Sequence, residues 1–201
     1  MKLSVLIVAH NEEARLPGCI EQARHYADEI VVVVGQSMDA TLSQAIELAD
    51  VVLEHPPLGC AEFSRGAGIR ACSGDWVLVL DADEHLTEYG ETIIRPLLER
   101  TERARFLLRR LTTVDGAPLE DAYHSRLIRP QYWDGVSNVI HSDVRGLPGV
   151  ADIKVDGAPA IAHFKTTAEQ HAADLKMVQR GYLTEGHRPE GDVVPWEIRH
   201  K

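Results

Sequence analysis

The chain has 201 residues, which is long enough for one sizeable hydrophobic core. Its net charge of −10, from 21 basic and 31 acidic residues, argues against nucleic acid as a partner, because binding a polyanion needs a surplus of Lys and Arg. No apolar run approaches the roughly 20 residues of a membrane helix, and the amino-terminal segment has no signal-peptide pattern. We therefore expect a cytoplasmic protein without an integral membrane segment.

The first half of the chain alternates strand and helix signals. Continuous apolar runs rich in β-branched residues are typical of strands buried on both faces, and they lie at Leu3–Ala9, Glu29–Val34, Val51–Glu54 and Trp76–Leu80. Helices are predicted from about Leu16, over Thr41–Ala49 and Ala61–Cys72, and from a Thr87 cap to about Arg100. This alternation predicts an α/β fold with a mostly parallel sheet and helices on both faces.

The second half has a different pattern. Strand signals lie at Arg105–Thr113, Ser125–Arg129 and Ala160–Phe164, with a turn signal at Asp115-Gly116. A capping box at Thr167–Gln170 predicts a helix to about Thr184, and the Pro- and Gly-containing tail predicts a loop or frayed end. No linker separates the halves, so we expect a single domain over residues 1–201, with a parallel half (1–100) and a mixed half (101–201).

An acidic segment, Asp81-Ala82-Asp83-Glu84, directly follows the fourth predicted strand. The carboxyl ends of parallel strands are where open α/β sheets bind ligands. Two carboxylates there, Asp81 and Asp83, suit a hard divalent cation that bridges to substrate phosphates and stabilises a leaving diphosphate. The alternative is that these acids cap the next helix or face solvent.

Three segments, Leu3–Glu13, Ala27–Val33 and Ser73–Glu84, resemble the family 2 glycosyltransferases with the GT-A fold. The likeness is greatest to the bacterial subgroup that builds lipopolysaccharide core and related glycans, and it continues at Arg126–Arg129, Val139–His141 and Ile161–Phe164. The resemblance implies transfer of a sugar from a nucleotide-sugar donor with Mg²⁺ or Mn²⁺. It also implies that residues 1–100 bind the donor, while residues 101–201 face a glycan, lipid-linked or small-molecule acceptor.

The same resemblance implies roles for single residues. Residues expected at the nucleotide are Ala9, His10, Glu12, Gly35, Arg65 and Asp81, with Asp81 on the ribose side. The metal is expected on Asp83 and on His163, although His163 would alternatively contact the diphosphate.

The chain departs from the family pattern at two places. Val34-Gly35-Gln36 stands where the family has an acid that pairs with the base, so the base is not uracil, or the backbone holds it, or donor binding is weak. The Gln36 amide would offer another pairing group. Ser142 stands where the subgroup has Glu, which leaves His141 and Asp143, on one face of an extended segment, as candidates to take the acceptor's proton.

Two alternative functions stay open at this stage. The departures from the family pattern are consistent with a non-catalytic or repurposed GT-A-like module. A nucleotidyltransferase would need a Gly-rich loop after the first strand, and here that loop is Ala9–Glu13, without glycine. The arginines at 103, 105, 109 and 110 favour a solvated strand edge over a site for an anionic acceptor. Trp133 is predicted either to pack in the core or to stack on a sugar ring.

Overall fold

The computed structural model describes residues 1–55, 61–100, 105–132, 152–172 and 197–200. The strands are β1 (Leu3–Ala9), β2 (Glu29–Gly35), β3 (Val51–His55), β4 (Trp76–Asp81), β5 (Glu84–Leu86), β6 (Arg105–Val114), β7 (Ala117–Ile128), β8 (Asp152–Lys154), β9 (Ile161–Lys165) and β10 (Glu197–His200). The helices are α1 (Leu16–Ala23), α2 (Thr41–Leu48), α3 (Ala61–Ala71) and α4 (Glu88–Leu98). A further helix, α5, begins at residue 167 and is described as far as residue 172.

The centre of the molecule is a parallel sheet in the order β3-β2-β1-β4. Every residue of β1 is buried, as expected for a strand covered on both faces. The register places Ala9 opposite Val34 and Val8 opposite Asp81, so β1, β2 and β4 end at one edge of the sheet. The predicted α/β fold, with a mostly parallel sheet between helices, is confirmed.

The second half extends this sheet instead of forming a separate one. The β6–β7 hairpin turns at Asp115-Gly116, both with positive φ (48° and 83°), as the sequence predicts. Strand β7 pairs antiparallel with β4, and β9 lies parallel to β6. Strand β5 pairs antiparallel with β9, and this pairing brings His163 opposite Glu84. The turn at the end of β4 is thereby joined to the far side of the sheet.

The core has a layer on each side of the sheet. The larger cluster lies beside α1, α2 and α4, and the smaller one lies beside α3. Trp76 stacks on Phe106 with ring centroids 5.4 Å apart, and its indole N–H donates to the Leu98 carbonyl at 3.2 Å. A Cβ on Gly68 would lie 2.3 Å from Leu6 Cδ1, so α3 packs directly on β1. No helix within the described ranges is both long and apolar enough to span a bilayer.

The structure differs from the sequence predictions at several ends. Strand β5 was not predicted, and β7 begins eight residues before the predicted strand start at Ser125. Residues 197–200 form a strand on the edge of β3, where a loop was expected; an open strand edge is a ready partner for such pairing. The capping box joins Thr166 and Glu169, one residue earlier than predicted. The rest of the predicted last helix lies outside the described residues.

Candidate functional site

The loops that follow β1 and β2 are tied to each other at the carboxyl edge of the sheet. Asn11, which has a φ of 55°, donates its backbone N–H to Ser37 Oγ at 3.0 Å. The Met38 N–H donates in return to Asn11 Oδ1 at 2.8 Å, and the Glu12 N–H donates to Thr41 Oγ1 at 2.8 Å. These bonds make a preformed rim at the edge of the sheet where the sequence analysis expects the donor.

His10 covers the end of β2. A Cβ on Gly35 would lie 3.3 Å from His10 Nδ1, so the imidazole rests on the glycine backbone, while Val34 is fully buried. The nearby Asp39 carboxylate accepts the Thr41 backbone N–H at 3.0 Å, and its other oxygen accepts a second backbone N–H. The end of β2 thus offers no side-chain carboxylate, and both oxygens of Asp39 are occupied by backbone N–H groups of the loops.

Asp81, at the end of β4, is held by two arginines. Arg65 Nη2 lies 2.7 Å and 2.8 Å from the two carboxylate oxygens, and Arg126 Nη2 lies 3.3 Å from one of them. Burial alone would raise the pKa of Asp81, but the charges of the two guanidinium groups outweigh it and hold the pKa well below its usual value. Asp81 is therefore an ionised anchor for arginine side chains in this structure.

Glu84 is the charged residue that sequence analysis missed. Its side chain is 0% exposed and accepts from Arg126 at 2.6 Å and from Arg110 at 2.9 Å. It also accepts the Asp81 backbone N–H at 3.0 Å, which closes the turn between β4 and β5. A buried carboxylate needs such partners, because an unpaired buried charge is costly.

Arg110 corrects the prediction of a solvated basic edge. Its side chain is only 12% exposed and lies between Glu84 and Glu120. The signal for this was present in the sequence, since Arg110 follows the buried Phe106 and Leu108 at a spacing of two and so shares their strand face.

Asp83 has a different neighbour from Asp81. Its Oδ2 lies 3.0 Å from His163 Nε2, and His163 Nδ1 lies 3.1 Å from Thr112 Oγ1. A hydroxyl both donates and accepts, so Thr112 supports either neutral tautomer of the imidazole and orients the ring. Asp83 is 18% exposed, while His163 is buried against the sheet.

This pair has the donor atoms that a divalent cation requires. A carboxylate oxygen suits Mg²⁺ and Mn²⁺, and an imidazole nitrogen favours the transition metal. Within the described residues, no third His, Cys, Asp or Glu completes a metal-binding group with them. Asp83 and His163 therefore fit a cation whose remaining ligands are substrate phosphates and water.

A cleft of about 440 Å³ opens beside Asp83, and the residues that line it are Arg15, Gly18, Cys19, Gln22, Ala82, Asp83, Glu84, His85 and Phe164. Arg15 bridges Glu12 at 3.5 Å and Glu169 at 2.5 Å, and so links the start of α1 to α5. Burial, followed by the charge of Asp83, raises the pKa of Glu12 to about 6.

The predicted donor and metal residues all fall at this one edge. The structure brings predicted site residues into direct contact in two cases: Arg65 contacts Asp81, and Asp83 contacts His163. The predicted proton acceptors, His141 and Asp143, lie outside the described residues, as do Ser142 and Trp133.

Two curated relatives show what this chain is similar to in sequence. An uncharacterized glycosyltransferase of Rickettsia typhi is 33% identical over 106 residues, which are 53% of this chain and 36% of that protein. A TPR repeat-containing protein of Synechococcus elongatus is 31% identical over 115 residues, 57% of this chain and 28% of that protein. The matched region thus spans about a third of the length of these curated relatives.

Solved structures share the fold at low sequence identity. S. aureus TarS 1-349 in complex with UDP-GlcNAc has a TM-score of 0.60 at 12% identity, over 82% of this chain and 59% of that one. Glucosyl-3-phosphoglycerate synthase from Mycobacterium tuberculosis, in complex with Mn²⁺, UDP and glucosyl-3-phosphoglycerate, has a TM-score of 0.56 at 16% identity, over 100% and 87%. The sequence model for Glycosyl transferase family 2 matches residues 4–126. That span is more than half of the chain and includes β1, β4 and the acidic turn, so the chain belongs to glycosyl transferase family 2.

Proposed function

We propose that this chain transfers a sugar from a nucleoside-diphosphate-sugar donor to a hydroxyl-bearing acceptor with the help of Mn²⁺ or Mg²⁺. The observation that carries the proposal is the Asp83–His163 pair, with Oδ2 and Nε2 3.0 Å apart, at the end of a central parallel strand. Family membership favours this reaction over the binding module and the nucleotidyltransferase. The resemblance to the lipopolysaccharide-core subgroup supports a glycan acceptor and a cytoplasmic reaction.

Asp83 and His163 would hold the cation, and Thr112 would keep the imidazole in position. When bound, the cation supplies positive charge to the diphosphate as the bond to the sugar breaks. One structural neighbour was solved with Mn²⁺ and UDP, which supports the assignment of a diphosphate-linked cation to this type of site.

The arginines beside the pair have a separate role in this proposal. Asp81 holds Arg65 and Arg126 at the same edge, and Glu84 holds Arg126 from behind. We assign to Asp81 the role of positioning these two guanidinium groups beside the donor, including its ribose side, where the sequence analysis expects Asp81. A donor hydroxyl that bonds to Asp81 would have to share its carboxylate with Arg65.

The base would lie on the rim formed by the β1–α1 and β2–α2 loops. His10, resting on Gly35, offers a flat ring there, and Gln36 is exposed beside it. Since neither Val34 nor Gly35 carries a carboxylate, recognition of the base falls to backbone groups and the Gln36 amide. His141 and Asp143 remain the predicted proton acceptors.

The prediction of a single domain is supported by the one continuous sheet that runs through both halves of the chain.

Isothermal titration calorimetry tests the proposal directly. We expect UDP, or another nucleoside diphosphate from a panel, to bind in the presence of Mn²⁺ and much more weakly in the presence of EDTA. Because Asp83 would be a direct ligand, Asp83→Asn should weaken Mn²⁺-dependent binding by at least about 100-fold, more than the roughly 10- to 100-fold lost when only an outer-shell partner is removed.

Asp121→Asn is the matched control, because Asp121 is 40% exposed and pairs with Arg109 on the hairpin. Its nucleotide binding should equal that of the unmodified chain. Equal binding by the Asp83→Asn variant would rule out the cation site, and failure of every nucleoside diphosphate to bind would rule out the transferase.

A further inference from the structure

We propose that the cleft beside Asp83 binds the acceptor, and that the acceptor group it takes is an uncharged, hydroxyl-rich sugar ring. This inference rests on the proposed function, because it assigns the second substrate of the same reaction. The cleft has a volume of about 440 Å³, within the range of roughly 300–1,000 Å³ that is usual for ligand sites.

Phe164 provides an apolar wall of this cleft. Phe164 is 49% exposed and is the one aromatic residue among the exposed large hydrophobic residues of the described ranges, and its ring stacks on His85 at a centroid distance of 5.1 Å. A flat, half-exposed ring fits the apolar C–H face of a pyranose, while the sugar hydroxyls at the ring edge stay free for polar contacts.

Phe164 is also fixed next to the proposed cation site. Its backbone N–H donates to the Asp83 carbonyl at 3.3 Å, and the residue before it in the chain is His163. Asp83 itself lines the cleft together with Phe164. A sugar stacked on the ring would therefore have its hydroxyls beside Asp83, where the transferred group has to arrive.

The charges around the cleft favour a neutral ligand. Arg15 is the one arginine or lysine among the described residues that line it, and Arg15 is bound by Glu12 at 3.5 Å and Glu169 at 2.5 Å. The proposed cation would engage Asp83, and Arg126 and Arg110 neutralise Glu84. The remaining charges are therefore the carboxylates of Glu12 and Glu169 against the one guanidinium of Arg15. A phosphate or carboxylate on the acceptor would meet this negative surplus and would compete for an arginine that is already paired.

One structural neighbour was solved with a charged small molecule. Glucosyl-3-phosphoglycerate synthase was solved with phosphoglyceric acid, which is an anion. In the chain described here, Glu169 at the start of α5 caps the Thr166 N–H at 2.7 Å while it binds Arg15, so its carboxylate is held at the cleft from two sides. We assign the preference of this cleft for a neutral acceptor to the Arg15–Glu169 pair.

Saturation-transfer NMR with Mg²⁺ and UDP present tests the inference. The neutral probes are methyl glycosides of glucose, galactose, mannose and N-acetylglucosamine, and the charged probes are glucose 6-phosphate and glucuronic acid. We expect at least one methyl glycoside to bind more tightly than both charged sugars. Phe164→Leu should weaken that binding by about three- to tenfold, whereas Phe164→Tyr, which keeps the flat ring, should restore it.

Glu169→Gln keeps a capping oxygen but removes the charge, so it should strengthen binding of the charged probes by about two- to fivefold and leave the neutral probe unchanged. UDP binding and the melting temperature are measured for every variant. If UDP binds but no methyl glycoside does, or if the charged sugars bind more tightly, the acceptor inference is overturned while the proposed function stands. If UDP fails to bind, the proposed function itself fails.

Discussion

Loss of the buried Glu84 carboxylate is predicted to destabilise the fold strongly, because it leaves two largely buried arginines short of a counter-charge. Its side chain is fully buried and contacts Arg126 at 2.6 Å and Arg110 at 2.9 Å. Glu84→Gln retains the shape but leaves two guanidinium groups with one negative charge fewer. Removing one partner from a buried ion pair typically costs about 3–5 kcal/mol. Because Arg110 keeps Glu120 and Arg126 keeps Asp81, we expect the lower end, about 3 kcal/mol.

Urea denaturation, followed by circular dichroism, measures this loss as a lower midpoint at an unchanged slope. For a domain of this size the same loss lowers the melting temperature by about 6–12 °C. Glu120→Gln is the control, because Glu120 also binds Arg110 but is 47% exposed, and its removal should cost about 1 kcal/mol or less. If the two substitutions lower the unfolding free energy equally, burial is not the cause of the large effect expected at Glu84, and the reasoning is refuted.

Three further predictions concern the metal site, pH and packing. Thr112→Val removes the hydroxyl 3.1 Å from His163 Nδ1, and calorimetry should show about 10- to 100-fold weaker Mn²⁺ binding in the presence of UDP. Because Thr112 is 3% exposed and a buried imidazole nitrogen loses its partner, the unfolding free energy should also fall by about 1–3 kcal/mol. Burial raises the pKa of Glu12 to about 6, so the folded chain binds more protons than the unfolded chain between about pH 4.5 and 6. In EDTA, the unfolding free energy should therefore fall as pH rises through that window, and Glu12→Gln should remove about 1–2 kcal/mol of this fall; an unchanged pH slope would contradict the assignment. Gly90→Ala places a Cβ 2.1 Å from a backbone carbonyl oxygen and should destabilise the fold by at least about 1–3 kcal/mol. Gly18 is exposed in helix α1, and an added Cβ there would have no atom within 4 Å apart from its own helix backbone and chain neighbours. Gly18→Ala should therefore stabilise the fold by up to about 1 kcal/mol in the same urea titration.

The parallel half of the fold is predictable from the sequence because its strands are buried on both faces. Strand β1 begins and ends at the predicted residues, and β4 differs by one residue. In such strands nearly every position is apolar, with Ser4 the exception in β1, so the signal is almost continuous and independent of the neighbouring strands. The position of the acidic turn, at the end of a central parallel strand, follows from the same signal.

The remaining site contacts depend on pairing between distant parts of the chain. Strand β5 has three residues and begins with Glu84, whose burial makes sense only beside Arg110 and Arg126. His163 lies eighty positions after Asp83 and reaches it through the β5–β9 pairing. A local pattern contains no information about that register, and only the family resemblance suggested His163. The Glu169–Arg15 contact had no signal of either kind.

The acidic turn divides its carboxylates between two tasks. Asp81 and Glu84 are neutralised by arginines, whereas Asp83 is paired with an imidazole, within the described ranges, and remains partly exposed. A cation held by one carboxylate and one imidazole has most of its coordination positions left for other ligands, and the donor's phosphates are the oxygens that the proposed reaction brings there. Because the arginines hold the other two acids, these acids do not compete with the phosphates for the cation. In the proposed function, cation and donor would therefore bind as a unit, because the arginines that hold Asp81 and Glu84 leave Asp83 as the carboxylate of this turn available to the cation.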